Sequence, residues 1–324
     1  QASPCRARCA CYAEMIIVLS AAARFHAKPV TEVALRSVPR LSSKAKALAA
    51  ELRRLEAKDI KKQLHVNDAL AKQYEKHLGN FEATQPVPAC CLYDAPLFNS
   101  LDAPSFDEDD AEWANKHVRV FSGLYGLLRP FDEIQPLSLP VGLSTKLATT
   151  KGKFLRDYWQ EHIVTELADS LERMPMPVVL NIAAEEDHEL LVPEKLPEHT
   201  RVATVSFKIA DKTSNAEAMG EFVRWTLENR CMTVEDLLEF RGLQVEEGDE
   251  AAYRVSPKAS KPDAIVFEEN RGDGTWKQKM ASFGQSKGKF IKEHASGKDR
   301  YKRADINKAM QKESKKRSKP QAVY

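Results

Sequence analysis

The sequence predicts an α+β protein of mixed α/β type, built as one main domain, and three observations carry that reading. Short apolar runs rich in β-branched residues, at 15–19, 178–182 and 202–209, read as buried strands. Amphipathic stretches lie between and around them. The clearest spans 154–171, where Leu155, Tyr158, Trp159, Ile163, Leu167 and Leu171 share one stripe at helical period. The charge is unevenly spread: from Arg271 onward there are 16 Lys/Arg against 5 Asp/Glu, net +11, and the rest carries 33 against 42, net −9. That split predicts an acidic globule with a basic arm.

Residues 1–14 hold Arg6 and Arg8 and no acid before Glu14. They read either as translated sequence upstream of the domain or as the remnant of an Arg-rich, acid-poor transit peptide. Residues 15–19 are the first strand. Residues 41–78 are charge-laced, with Leu48, Leu52, Leu55, Ile60, Leu64, Leu70 and Tyr74 near helical spacing, and read as two helices stopped at Gly79-Asn80. Pro86 and Pro88 lead into residues 89–93, read as a second strand. At 106–128 the expectation is a helix-hairpin-helix element. Asp107 caps the first helix, acids fill its first turn, and Ala111, Ala114 and Val118 repeat on it. Gly123 and Gly126 make the hairpin, and Pro130 and Pro136 stop the short second helix.

Pro175 and Pro177 end the helix at 154–171. Residues 178–182 and 202–209 are strands, with a short helix at 184–191 between them. A helix at 214–230 takes Ser214 or Asn215 as its cap, and Thr233 with Asp236 opens another at 234–240. Residues 253–255 and 264–267 are late strands. The domain is thus 15–270. Residues 271–324 form a basic tail too poor in apolar residues for a core, expected to be disordered or to carry one helix around 304–311.

The ordered motifs resemble those of the YaaA family of peroxide-stress proteins. Ser-Gly-Leu-Tyr-Gly-Leu-Leu-Arg-Pro at 122–130, continuing to Gln135-Pro136, is similar to the family signature. Residues 15–20 resemble its first strand. Lys151-Gly152-Lys153-Phe154 resembles the entry to its aromatic helix, Asn181-Ile182-Ala183 the end of its central strand, and Glu228-Asn229-Arg230 its late helix. The resemblance spans roughly residues 15–269. It implies DNA binding through a positively charged cleft with a helix-hairpin-helix element, and peroxide tolerance through limiting free iron.

The hairpin's chemistry suits a phosphate. A glycine turn at a helix N-terminus exposes backbone N–H groups that hold an anion without reading sequence. The expected nucleic-acid contacts are Gly123, Tyr125, Gly126, Arg129, Lys151 and Lys153, with Arg300, Lys302, Arg303, Lys315, Lys316 and Arg317 as phosphate contacts of the tail. The competing reading is a structural turn with Arg129 paired to Asp132 or Glu133. Ser20, Arg24, Asn181, Asn229 and Arg230 are the cleft candidates. The chain departs from the family pattern: Ala23 replaces a lysine, with Arg24 beside it, Ala184 replaces a serine, and residues 94–100 and 214–218 lack the family's cations. Those losses weaken the case for an anionic ligand in the core.

No P-loop, dinucleotide fingerprint or Ser-His-Asp context is present, so no cofactor is expected. Six cysteines, Cys5, Cys9, Cys11, Cys90, Cys91 and Cys231, form neither a disulfide framework nor a zinc spacing. Glu185, Glu186, Asp187, His188 and Glu189 read as an exposed acidic helix rather than a metal site. No apolar run approaches the roughly 20 residues that span a bilayer, so no membrane is expected. The compartment expected is the cytoplasm, or an organelle (plastid or mitochondrion) if the leader is a transit peptide, or the nucleus through the basic run at 315–319. Three functional readings remain open: a DNA-binding stress protein; an enzyme acting on a nucleotide or base, with Ser20, Asn181 and Arg129 around a cleft; and an inactive paralogue.

Overall fold

Five consecutive residues of the first strand, Met15 to Leu19, are each at most 1% exposed. Side chains alternate between sheet faces, so such a run requires both faces to be covered. The computed structural model, which describes residues 14–64, 67–80, 85–135, 154–243 and 251–270, meets that requirement. The 271–324 tail, the 1–13 leader, Lys151 and Lys153 lie outside the described residues.

Seven strands form one sheet: β1 (Glu14–Ser20), β3 (Val118–Ser122), β4 (Gly126–Leu128), β6 (Pro177–Asn181), β7 (Arg201–Lys208), β8 (Tyr253–Val255) and β9 (Ala264–Glu269). Their order is β4-β3-β1-β6-β7-β9-β8. The five inner strands are parallel, and β4 and β8 close the edges antiparallel. A two-stranded ribbon pairs β2 (Val87–Pro88) with β5 (Glu133–Ile134).

The helices are α1 (Ser42–Leu52), α2 (Ala57–Leu64), α3 (Asp68–Gly79), α4 (Ala89–Leu92), α5 (Pro96–Leu101), α6 (Glu108–His117), α7 (Leu155–Leu171) and α8 (Lys212–Glu228). On α7 the stripe buries Leu155, Trp159, Ile163, Leu167 and Leu171. Around α8 and β7–β9 the core is aromatic: Phe207, Phe222, Phe240, Tyr253 and Phe267 pack with centroids 5.2–6.1 Å apart.

The mixed α/β class holds, but several elements differ from the sequence reading. Residues 41–79 form three helices rather than two. Residues 89–92 are a helical turn, not a strand: a four-residue apolar run has no period by which to tell the two apart. Asp107 does cap α6, accepting from the Asp110 N–H at 2.9 Å. That helix stops at His117, and residues 118–128 make a β-hairpin, not a helix-hairpin-helix. Val118 and Val120 are β-branched, and β3 gains a full ladder beside β1, with Ile17 opposite Val118 and Ser20 opposite Phe121. On α8 the cap is Asp211, a few residues earlier than read, accepting from the Ser214 N–H at 2.7 Å. The Thr233–Asp236 box forms as read, with both reciprocal bonds at 3.0–3.1 Å, but opens a 3-10 turn at Asp236–Glu239.

Candidate functional site

The topology picks out one place before any side chain is considered. From β1 the chain returns to β3 on one side, and from β6 it proceeds to β7 and β9 on the other. The connections leaving the carboxyl ends of the neighbours β1 and β6 therefore diverge. In open α/β sheets that divergence leaves a crevice where ligands bind. Ser20 ends β1 and Asn181 ends β6.

The loop after β6 folds back onto this crevice. Asn181 is buried, and its Oδ1 accepts from the Ala183 N–H at 3.0 Å, turning the chain as an Asx turn does. A 3-10 turn at Glu185–Leu190 presents Asp187, only 7% exposed, to Ser20. The Ser20 hydroxyl donates to Asp187 Oδ2 at 2.5 Å, while its Oγ accepts from the Ala184 N–H at 2.9 Å. Burial raises the Asp187 carboxyl above the ordinary range, and the bond from Ser20 acts against that rise. The arrangement places a proton acceptor against a hydroxyl, with an N–H aimed at the oxygen that would carry charge. Arg24, four residues past Ser20, is exposed, and its guanidinium has no partner among the described residues. Ser20, Asn181 and Arg24 of the predicted cleft thus share this edge.

Asp187 is the member that sequence reasoning missed. It sits in an acid-rich run that reads as solvated. Its acidic neighbours Glu185, Glu186 and Glu189 are exposed, Glu189 pairing with Arg156 at 2.9 Å, while half-buried His188 has Nε2 3.1 Å from the Ala183 carbonyl. Among the described residues no group of three or more His, Cys, Asp or Glu side chains is arranged to hold a metal.

The glycine hairpin is used by the protein itself. Its turn comes after Ser122, with Ser122 opposite Gly126, and the whole of residues 118–128 is buried. Trp159 Nε1–H donates to the Gly123 carbonyl at 2.8 Å. Gly126 adopts φ +71°, and a Cβ there would lie 2.4 Å from Trp159 Cε3. The close approach that demands glycine is to an indole ring, where the sequence reading put a phosphate. The Tyr125 hydroxyl accepts from the Gln135 N–H at 2.9 Å, and burial pushes that phenol up to about 12.

Arg129 leaves the site altogether. Because β4 runs antiparallel to β3, with Leu128 opposite Val120, Arg129 sits at the amino edge of the sheet, away from Ser20 and Asn181. It pairs with buried Asp132 at 2.8 Å and donates to the Val38 carbonyl at 2.9 Å. This is the structural-turn alternative. Asn229 and Arg230 also stand apart, at the far end of α8. Arg230 (φ +54°) pairs with Asp110 at 2.9 Å and lies over the Trp113 ring, and the Asn229 amide donates to the Trp225 carbonyl at 2.9 Å.

The family model described as peroxide stress protein YaaA matches residues 15–248. A UPF0246 protein of Maricaulis maris is 30% identical over 263 residues, covering 78% of this chain and 95% of its own. A UPF0246 protein of Cereibacter sphaeroides is 32% identical over 264 residues, covering 78% of this chain and 98% of its own. One from Caulobacter vibrioides is 31% identical over 268 residues, with the same coverage. By the family-model match and the identity and length of these alignments, the chain belongs to the YaaA peroxide stress protein family.

Proposed function

We propose that this protein acts in the cellular response to peroxide by binding nucleic acid without sequence preference, limiting iron-dependent damage to it. The contacts in this reading are the carboxyl edge of the sheet and the basic tail. The observation that carries it is the β1/β6 divergence with exposed cations beside it. Arg24 lies past the end of β1, Lys208 ends β7 and Lys212 opens α8, all exposed. Exposed cations around a crevice position a phosphate backbone without reading bases. The net +11 of residues 271–324 adds a non-specific arm.

The test is binding of a fluorescent duplex by the full chain over a salt series. Replacing Arg24, Lys208 and Lys212 together by Ala lowers the logarithmic salt slope by about 2 to 3, near 0.9 per lost phosphate contact. A second variant with Ala at Lys315, Lys316 and Arg317 separates the tail. No binding at low salt overturns the reading, and loss only in the tail variant removes the sheet edge from it.

The Ser20–Asp187 pair supports a second reading, an enzyme acting on a nucleotide or base at the same crevice. Turnover that disappears in Ser20→Ala and Asp187→Asn, with duplex binding unchanged, would select it.

A further inference from the structure

A second feature lies at the amino edge of the sheet. A cavity of about 660 Å³, in the size range of small-molecule sites, is lined there by Arg40, Lys116, Arg119, Arg129 and Arg173. Three of these have carboxylate partners: Arg40 with Glu166, Lys116 with Glu14, Arg129 with Asp132. Arg119 has none. It is 5% exposed, and its guanidinium donates to the carbonyls of Asn115, Lys116 and Val118 at 2.8–3.2 Å and to Ser170 Oγ at 3.4 Å. These carbonyls belong to the end of α6 and the start of β3. They bring the partial negative charge of a helix C-terminus, not a full counter-charge.

A buried cation whose hydrogen bonds all go to neutral oxygens is costly, and arginine's planar fork is suited to meeting an oxyanion in such a place. Among the formal charges around it, the like ones outweigh the opposite ones. Burial first, then the charges of Arg40 and Arg129, ahead of the opposing pull of Glu166 and Asp132, together lower the Arg119 guanidinium to about 10. Arg173, exposed on the same cavity, has no partner among the described residues.

We infer that this cavity binds a small phosphorylated molecule, its phosphoryl group held by Arg119 and Arg173. Glu14, Glu112, Asp169 and Glu172 line the cavity as well. Those four carboxylates repel a polyanionic strand but leave room for one compact anion against the guanidinium groups. Leu35 and Met174 give the rest of the ligand an apolar wall. The ligand is therefore the size of a mononucleotide or smaller and is distinct from the nucleic acid proposed above. The site lies at the opposite ends of the strands from Ser20.

The experiment titrates the full chain with inorganic phosphate and, separately, adenosine monophosphate, by calorimetry and thermal shift. Saturable binding of either probe is expected, weakened at least about tenfold by Arg173→Glu. Phosphate binding as tight as the nucleotide's supports the site and points to a free oxyanion. Tighter nucleotide binding supports it and points to a phosphate ester. Arg119→Met removes the buried cation and abolishes binding. Should that variant not fold, Arg173→Glu decides alone. Absence of binding to both probes at millimolar concentration, or binding indifferent to Arg173→Glu, overturns the proposal.

Discussion

Gly126→Ala asks most directly what the hairpin motif is for. At φ +71° an L side chain costs roughly 1–2 kcal/mol. The new methyl would also stand 2.4 Å from Trp159 Cε3 and 2.9 Å from Cδ2 and Cζ3. Trp159 is fully buried and tied to the Gly123 carbonyl, so its ring has little room to yield. Overpacking of that kind adds about 1–3 kcal/mol. The expected loss is about 2–5 kcal/mol, large against a total stability of about 5–15. The assay is equilibrium urea unfolding of the full chain, with Trp159→Leu and the double variant completing a cycle. With the indole gone, Gly126→Ala retains only its backbone cost, so the coupling energy is about 1–3 kcal/mol. A Gly126→Ala cost that is the same in both backgrounds would refute the packing argument. A phosphate cradle predicts that result, together with lost DNA binding.

Single positions carry three further outcomes. His117 is 3% exposed, its Nδ1 lies 2.7 Å from the Met15 carbonyl, and its Nε2 is buried without a hydrogen-bond partner among the described residues. Burial lowers it from 6.5 to about 4, so the unfolded chain binds the proton first as pH falls. Stability from this group is full above pH 6.5 and lost toward pH 4, on the order of 3 kcal/mol. Glu221, pushed up to about 7 by burial and Glu217, tilts the same range the other way, so the readout is wild type minus His117→Leu; no pH dependence in that difference contradicts the assignment. Gly220→Ala drives a methyl to 2.2 Å from the Leu97 carbonyl, where α5 meets α8. A strain near the top of about 1–3 kcal/mol outweighs the roughly 1 gained in helix propensity, and a melting temperature at or above wild type contradicts that contact. Cys90 and Cys91 are buried, with sulfurs 3.7 Å apart, and burial raises the Cys90 thiol. Both resist alkylation in the native state and react on unfolding; fast native labelling would count against their burial.

The sequence announced those parts of the fold whose own pattern decides their state. The continuous apolar run of β1, the stripe of α7 and the Asp107 cap needed no partner to be recognised. Residues 118–122 did, because Val118 and Val120 suit a helix end as well as a strand until β1 lies beside them. The site was half legible for the same reason. Ser20 and Asn181 stand at strand ends that the resemblance marked, and divergent connections bring those ends together. Asp187 carried no signal, since burial of one acid among its acidic neighbours depends on how the Asn181 turn folds the loop back. Arg129 was misplaced because a short strand, β4, reverses the chain and carries it to the other edge.

Hydrogen exchange of the full chain with and without a short duplex at low salt tests the central claim, that the β1/β6 divergence is the ligand face. The account predicts slowed exchange at residues 20–28 and 182–190, weakening as salt rises, with the hairpin amides of β3 and β4 unchanged. Protection confined to the hairpin or to the tail, with residues 20–28 and 182–190 indifferent to the duplex, would contradict it.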